Sequence, residues 1–255
     1  MSYWDAIIFG IVEGITEFLP ISSTGHLILT SRLLGLAETD FLKSFEIAIQ
    51  LGAILSVVVL YGKRLMMNYE ILKRVFVAFV PTAVLGLVFY KIIKKILLGS
   101  QEVVLWSLFL GGIFLVVFEM TYRKKDIAID DMEKMPYRTA FAIGLFQAVS
   151  MVPGVSRAAA TIVGGLILGL NRRTIVEFSF LLAIPTMFAA TGLDLVKNAQ
   201  AFSGTQLEFL FLGFVTSFAV AIISIKFLLH FIKNHTFISF GIYRMIAVAL
   251  FWLVK

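Results

Sequence analysis

Cysteine is absent from the chain, which removes both a disulfide framework and thiolate chemistry from consideration. Histidine is nearly absent, and His26, His230 and His235 are too scattered to suggest a zinc site. Charge is scarce too, at 15% of residues against about a quarter in an ordinary soluble domain. Apolar side chains fill the deficit: 60% of the 255 residues are hydrophobic, 25 are Phe and the mean hydropathy is +0.96, so the natural solvent is lipid. The N-terminal stretch Met1-Ser2-Tyr3-Trp4-Asp5 has neither a basic region nor a small-residue cleavage site, and no removable signal peptide is expected. The net charge of +6 would hint at nucleic acid in a soluble protein. In a membrane protein, Lys and Arg held in cytoplasmic loops account for it, and no nucleic-acid partner is expected.

A spanning helix needs about 20 mostly apolar residues. Six segments qualify, running approximately from Phe45 to Tyr61, Val75 to Leu97, Val103 to Tyr122, Thr174 to Val196, Leu207 to Phe231 and Thr236 to Val254. Two further apolar stretches are broken at their centres by Pro, Gly and small hydroxyl residues. The first, at about 4–29, is interrupted at Leu19-Pro20-Ile21-Ser22-Ser23-Thr24-Gly25, and the second, at about 137–170, at Val152-Pro153-Gly154-Val155-Ser156-Arg157. Irregular backbone at membrane depth is tolerated only when buried in protein or facing a watery cavity, so both read as re-entrant hairpins.

The two halves match each other. A shift of 134 residues pairs Gly10 with Gly144, Glu13 with Gln147, Thr16 with Ser150 and Ser22 with Ser156, and a shift of 135 pairs Ser44-Phe45 with Ser179-Phe180. The fold expected is an all-α polytopic membrane protein built as an inverted-topology repeat. Each half is a re-entrant broken-helix hairpin followed by three transmembrane helices: residues 1–122, then a cytoplasmic linker at 123–136, then residues 137–255. With the loop from Gly62 to Arg74 inside, twelve basic residues lie on the cytoplasmic side and seven outside, which places both termini outside.

Ionisable groups inside a membrane cost about 2.5–3.5 kcal/mol each, so their presence points to function. The first hairpin carries Glu13, Glu17 and His26, with the two acids one helical turn apart. Such a pair repels, raising one pKa or inviting a cation such as Mg²⁺ or Ca²⁺; the competing reading pairs them with Lys226 or Arg244. Ser22, Ser23 and Thr24 suit the N-cap of a half-helix starting near Gly25, and Ser156 suits the cap of one starting near Arg157. Helix N-termini favour anions, so two such tips facing each other could hold a diphosphate between them. Arg157 then binds phosphate oxygens through its fork of donors, or serves as counter-ion to Glu13 or Glu17. Gly165 and Gly169 read as a helix contact, His230 and His235 as interfacial residues, and Asp126, Asp130, Asp131 and Glu133 as a solvated face.

The runs Glu13-Gly-Ile-Thr-Glu17-Phe-Leu-Pro-Ile-Ser-Ser-Thr-Gly-His26 and Pro153-Gly-Val-Ser-Arg157-Ala-Ala-Ala-Thr161 resemble the two signature motifs of bacterial undecaprenyl-diphosphate phosphatase, the bacitracin-resistance family. The likeness continues through Phe45–Gly52 and Glu177–Pro185 and covers essentially the whole chain. It implies hydrolysis of the terminal phosphate of undecaprenyl diphosphate to give the carrier used in peptidoglycan synthesis, at a site opening to the periplasmic side of the cell membrane, with bacitracin resistance as a consequence. Carried over by position, Glu17, Ser23, His26 and Arg157 are the catalytic candidates. Ser22, Thr24, Ser156, Arg157 and Thr161 are candidates for binding phosphate, and Glu13 and Glu17 for holding a metal. One departure is Ala158, where the family pattern has serine.

Two mechanisms fit these residue types: attack by Ser23 with His26 or Glu17 as base, or direct activation of water by Glu17 or His26. A rival from another class is a flippase that moves the lipid phosphate without hydrolysing it. The partners expected are the polyprenyl diphosphate lipid, the surrounding membrane lipids and, as an option, a second copy of the chain in a homodimer. No organic cofactor is implied.

Overall fold

The computed structural model describes residues 1–37, 39–92, 100–123, 128–198 and 204–254. Among these, ten α-helices and two short 3₁₀ turns form the whole architecture, with no β-strand. In chain order the helices are α1 (Tyr3–Thr16), α2 (Ser23–Leu33), α3 (Asp40–Met67), α4 (Tyr69–Ile92), α5 (Gln101–Thr121), α6 (Tyr137–Ala148), α7 (Arg157–Ile167), α8 (Arg172–Asn198), α9 (Gly204–Phe231) and α10 (Ile238–Val254). Five are long and apolar enough to cross a membrane: α3, α4, α5, α8 and α9. The sixth expected span, α10, has 17 residues and is about 25 Å long, at the short end for a crossing. The far end of the expected span from Val75 to Leu97 lies outside the described residues.

α3 outruns its apolar stretch at both ends, and its start is set by a cap. Thr39 accepts from Leu42 N at 3.1 Å and starts α3 five residues before Phe45, while the charged Lys63 and Arg64 prolong it past Tyr61. Large apolar side chains cover the outside, among them Leu87 at 70% and Phe211 at 71% exposure, as expected where the solvent is lipid.

Packing is strongly paired. α1 lies along α9 as α6 lies along α4, α3 packs on α9 as α8 packs on α4, and α3 meets α8 while α5 meets α10. The closest approaches follow the same pairing. A Cβ on Gly10 would sit 2.7 Å from Gly213 O and 2.8 Å from Thr216 Cβ; one on Gly144 would collide with Ala78 O and sit 2.6 Å from Pro81 Cγ. These are the glycines paired by the 134-residue shift, and each meets a partner helix that the 135-residue shift superposes. A Gly144→Ala substitution is therefore expected to force α6 off α4, at an overpacking cost of about 1–3 kcal/mol, read as a lower melting temperature in detergent.

The described acids of the segment before α6 are solvated as expected, with Asp130 and Glu133 exposed and Asp131 half-exposed. The segment is nonetheless anchored: Met132 and Met135 are buried in the main core, Ile129 pairs with Leu170 through backbone hydrogen bonds on either side, and Thr174 Oγ1 donates to Asp130 O at 2.8 Å. Apolar residues interleaved among the acids anchor it. Asp126 lies outside the described residues. Gly165 does close a helix contact, since a Cβ there would collide with the side chain of Ile175.

Candidate active site

Both breaks are held by what surrounds them. After α1 the chain turns through Glu17–Ser22, pinned by the buried Phe18, Leu19 and Ile21, with Phe18 edge-on to Phe180 at 5.4 Å. After α6 it passes through a 3₁₀ turn at Val149–Met151 and then Gly154, whose φ of +93° and close approach to Val104 O leave room for no other residue. Each break ends on a serine in a left-handed conformation: φ is +71° at Ser22 and +77° at Ser156. These are the only non-glycine residues with positive φ among the described residues, and they are partners under the 134-residue shift. Such backbone costs about 1–3 kcal/mol per residue and persists where the surroundings impose it.

The two caps differ. Ser156 Oγ accepts from Ala159 N at 3.2 Å, and α7 begins at Arg157 as its sequence predicts. Ser22 makes no side-chain cap; α2 begins at Ser23, two residues earlier than the spacing suggests, because the positive φ turns the chain before Gly25 is reached. Thr24 is half-buried in the first turn of α2.

At the meeting of the breaks stands Glu17. Ser23 Oγ donates to Glu17 Oε2 at 2.5 Å, and Arg157 Nη2 lies 3.3 Å from Glu17 Oε1. The two charged side chains are 5% and 10% exposed, so the attraction acts with little screening. Arg157 Nη1 donates to Ser179 O at 2.9 Å, and its Nε is buried without a partner among the described residues. An unpartnered guanidinium donor beside a hydroxyl and a carboxylate is an arrangement that an anionic oxygen would complete.

One turn before Glu17, Glu13 is wholly buried and neither carboxylate oxygen has a hydrogen-bond partner among the described residues. Its counterpart in the second half, Gln147, donates to Thr82 Oγ1 and Thr186 Oγ1, both at 3.0 Å. Gln147 Oε1 is itself buried without a partner among the described residues, so both copies of the duplicated position keep an orphaned oxygen, but only Glu13 keeps an acid with neither oxygen met. Among the described residues no three His, Asp or Glu side chains converge as a ready-made metal cage.

Both ring nitrogens of His26 have partners other than Ser23. Its Nδ1 lies 2.8 Å from Ser22 O and its Nε2 lies 2.9 Å from Tyr243 Oη, with the two rings stacked at 5.5 Å. Thr161 is fully buried, its hydroxyl 2.6 Å from Ser179 Oγ and bonded to the carbonyls of Arg157 and Ala158. Ser179 is marked in the sequence by the repeat and Tyr243 not at all; neither is a site candidate there.

Arg244, weighed from sequence as a counter-ion for the acids, goes elsewhere. It is 1% exposed and donates to Ser107 O, Leu108 O, Gly154 O and Val155 O at 2.9–3.2 Å, fastening the second break to α5. A fork of five donors can satisfy several carbonyls at once, which a lysine on the same helix could not do.

The model of one protein family, described as "Bacitracin resistance protein BacA", matches residues 6–250. Curated relatives named "Undecaprenyl-diphosphatase" match over nearly their whole lengths. That of Aquifex aeolicus is 54% identical over 96% of both chains, and that of a Sulfurihydrogenibium species is 52% identical over 99% of both. That of Thermus thermophilus is 46% identical over 98% of this chain and 97% of its own.

Proposed function

Because the chain belongs to the bacitracin resistance protein BacA family, we propose that it is an integral membrane hydrolase that removes the terminal phosphate of undecaprenyl diphosphate. The product is the monophosphate carrier of peptidoglycan synthesis, and consumption of the diphosphate removes the target of bacitracin. The observation that carries the reading is Glu17, held between Ser23 Oγ at 2.5 Å and Arg157 Nη2 at 3.3 Å, where the two chain breaks meet. A flippase needs only an anion site; a hydroxyl hydrogen-bonded to a buried carboxylate is the equipment of a nucleophile and its base.

In the mechanism that this geometry favours, Ser23 Oγ attacks the terminal phosphorus as its proton passes to Glu17. The bond between phosphorus and the bridging oxygen breaks, undecaprenyl phosphate departs, and water then hydrolyses the phosphoserine to inorganic phosphate. Arg157, through its unpartnered Nε, and the N-terminus of α7 stabilise charge on the transferring group, which is the main task in phosphoryl transfer. Ser22, Thr24, Ser156 and Thr161 line or brace the same two helix starts. Mg²⁺ or Ca²⁺ would be held by Glu13 and Glu17, whose orphaned and hydrogen-bonded oxygens suit a hard cation completed by diphosphate oxygens. When bound it would neutralise charge on the diphosphate.

The architecture proposed with this activity is an inverted repeat of residues 1–122 and 137–255, each led by a re-entrant hairpin, with the site opening to the periplasmic side. The reciprocal helix pairings, the matched glycine contacts and the two left-handed serines support it. The test is phosphate release from undecaprenyl or farnesyl diphosphate by purified protein in detergent, with and without a divalent-ion chelator. Release is expected. Its loss with chelator and return with Mg²⁺ or Ca²⁺ would support the cation, and no release from folded protein would overturn the hydrolase reading.

A further inference from the structure

The geometry points to Tyr243 as a positioning residue for His26, and this inference rests on the diphosphatase reading above. A backbone carbonyl only accepts, so the 2.8 Å contact with Ser22 O requires the proton of a neutral His26 on Nδ1. The remaining nitrogen, Nε2, is then the basic one, and at 2.9 Å the Tyr243 hydroxyl donates to it. The two rings lie parallel within 6° at a centroid separation of 5.5 Å, so the phenol restrains the plane of an imidazole whose tautomer Ser22 O sets. His26 is 8% exposed, whereas Tyr243 is 45% exposed and comes from α10, 217 residues away. The contact joins the last helix to the first turn of α2, the element that carries Ser23.

Two features separate this from ordinary packing. The Ser22 carbonyl is aimed by the left-handed backbone of that residue, so the Nδ1 contact is bound to the same strained turn that sets Ser23. Adjacent Arg244 holds the carbonyls of the second break, so α10 fastens that break through one residue and orients the imidazole beside the first through the next. Without the hydroxyl, Ser22 O still holds the Nδ1 proton, but Nε2 loses its donor and the ring its second anchor, so Nε2 is no longer held in place for a proton transfer other than that from Ser23, such as that of the water which hydrolyses the phosphoserine.

Tyr243→Phe keeps the stacked ring and removes only the hydroxyl. Steady-state kinetics on farnesyl or undecaprenyl diphosphate should show kcat reduced about tenfold, a fraction of what general acid–base groups contribute, with KM within about twofold and an unchanged melting temperature. Introduced into a His26→Ala background and followed long enough to read the residual rate, the same change should have no further effect, because it acts through His26. A Tyr243→Phe enzyme with wild-type kcat would overturn the inference, as would a kcat loss of equal size in both backgrounds. Failure of the wild type itself to release phosphate would instead overturn the diphosphatase reading, so the two failures are told apart by the first lane of the assay.

Discussion

Arg157→Ala is expected to reduce phosphate release by about 10³-fold or more, the range over which a single arginine stabilises a transferring phosphoryl group. Among the described residues Arg157 is the one cation bonded to Glu17, and its Nε is a buried donor with no protein partner. Arg157→Lys should recover little, since an ammonium offers a point charge where the site presents a planar fork also bonded to Ser179 O at 2.9 Å. The substitution has a structural side effect: it leaves the Glu17 carboxylate unpaired at 5% exposure, and breaking one half of a buried pair costs about 3–5 kcal/mol. The double variant Glu17→Gln with Arg157→Ala removes both charges and should melt nearer the wild type while remaining inactive. Phosphate release and melting temperature measured side by side would separate chemistry from folding. An Arg157→Ala protein within about tenfold of wild-type turnover would remove arginine from the chemical step.

The sequence displays the site's ionisable residues plainly but hides the groups that orient them. Glu17 and Arg157 stand out because charge in an apolar run is costly, and Pro20, Pro153 and Gly154 mark the breaks because they stop helices. Ser156 as a cap is readable from Pro153-Gly154 just before it. The equivalent start at Ser23 is misjudged by two residues, because nothing local announces that Ser22 takes a positive φ imposed by tertiary packing. Tyr243 gives no signal at all: a tyrosine in an apolar helix looks interfacial until the fold brings His26 against it. Arg244 is visible as a buried cation, yet its partners are carbonyls, which carry no sequence identity.

Ser23→Ala decides between the two mechanisms that the residue types allow. With Ser23 Oγ 2.5 Å from Glu17 Oε2, the hydroxyl is placed to lose its proton as it attacks, and its removal should cost at least about 10³-fold in kcat. Glu17→Gln should then cost a comparable factor, because the two act as one unit and their effects do not add. If Glu17 instead activates water, Ser23→Ala opens space for that water and should stay within about tenfold of wild type, while Glu17→Gln still abolishes turnover. His26 does not compete for the role of base on Ser23, since its Nε2 is bonded to Tyr243 and its Nδ1 to Ser22 O. A covalent intermediate gives an independent readout: rapid acid quench of wild-type enzyme with terminally labelled diphosphate should leave phosphate on the protein, and the label should be lost in Ser23→Ala. Near-normal turnover with no label on the protein would assign the attack to water and leave Ser23 as a hydrogen-bonding partner that holds Glu17 in place.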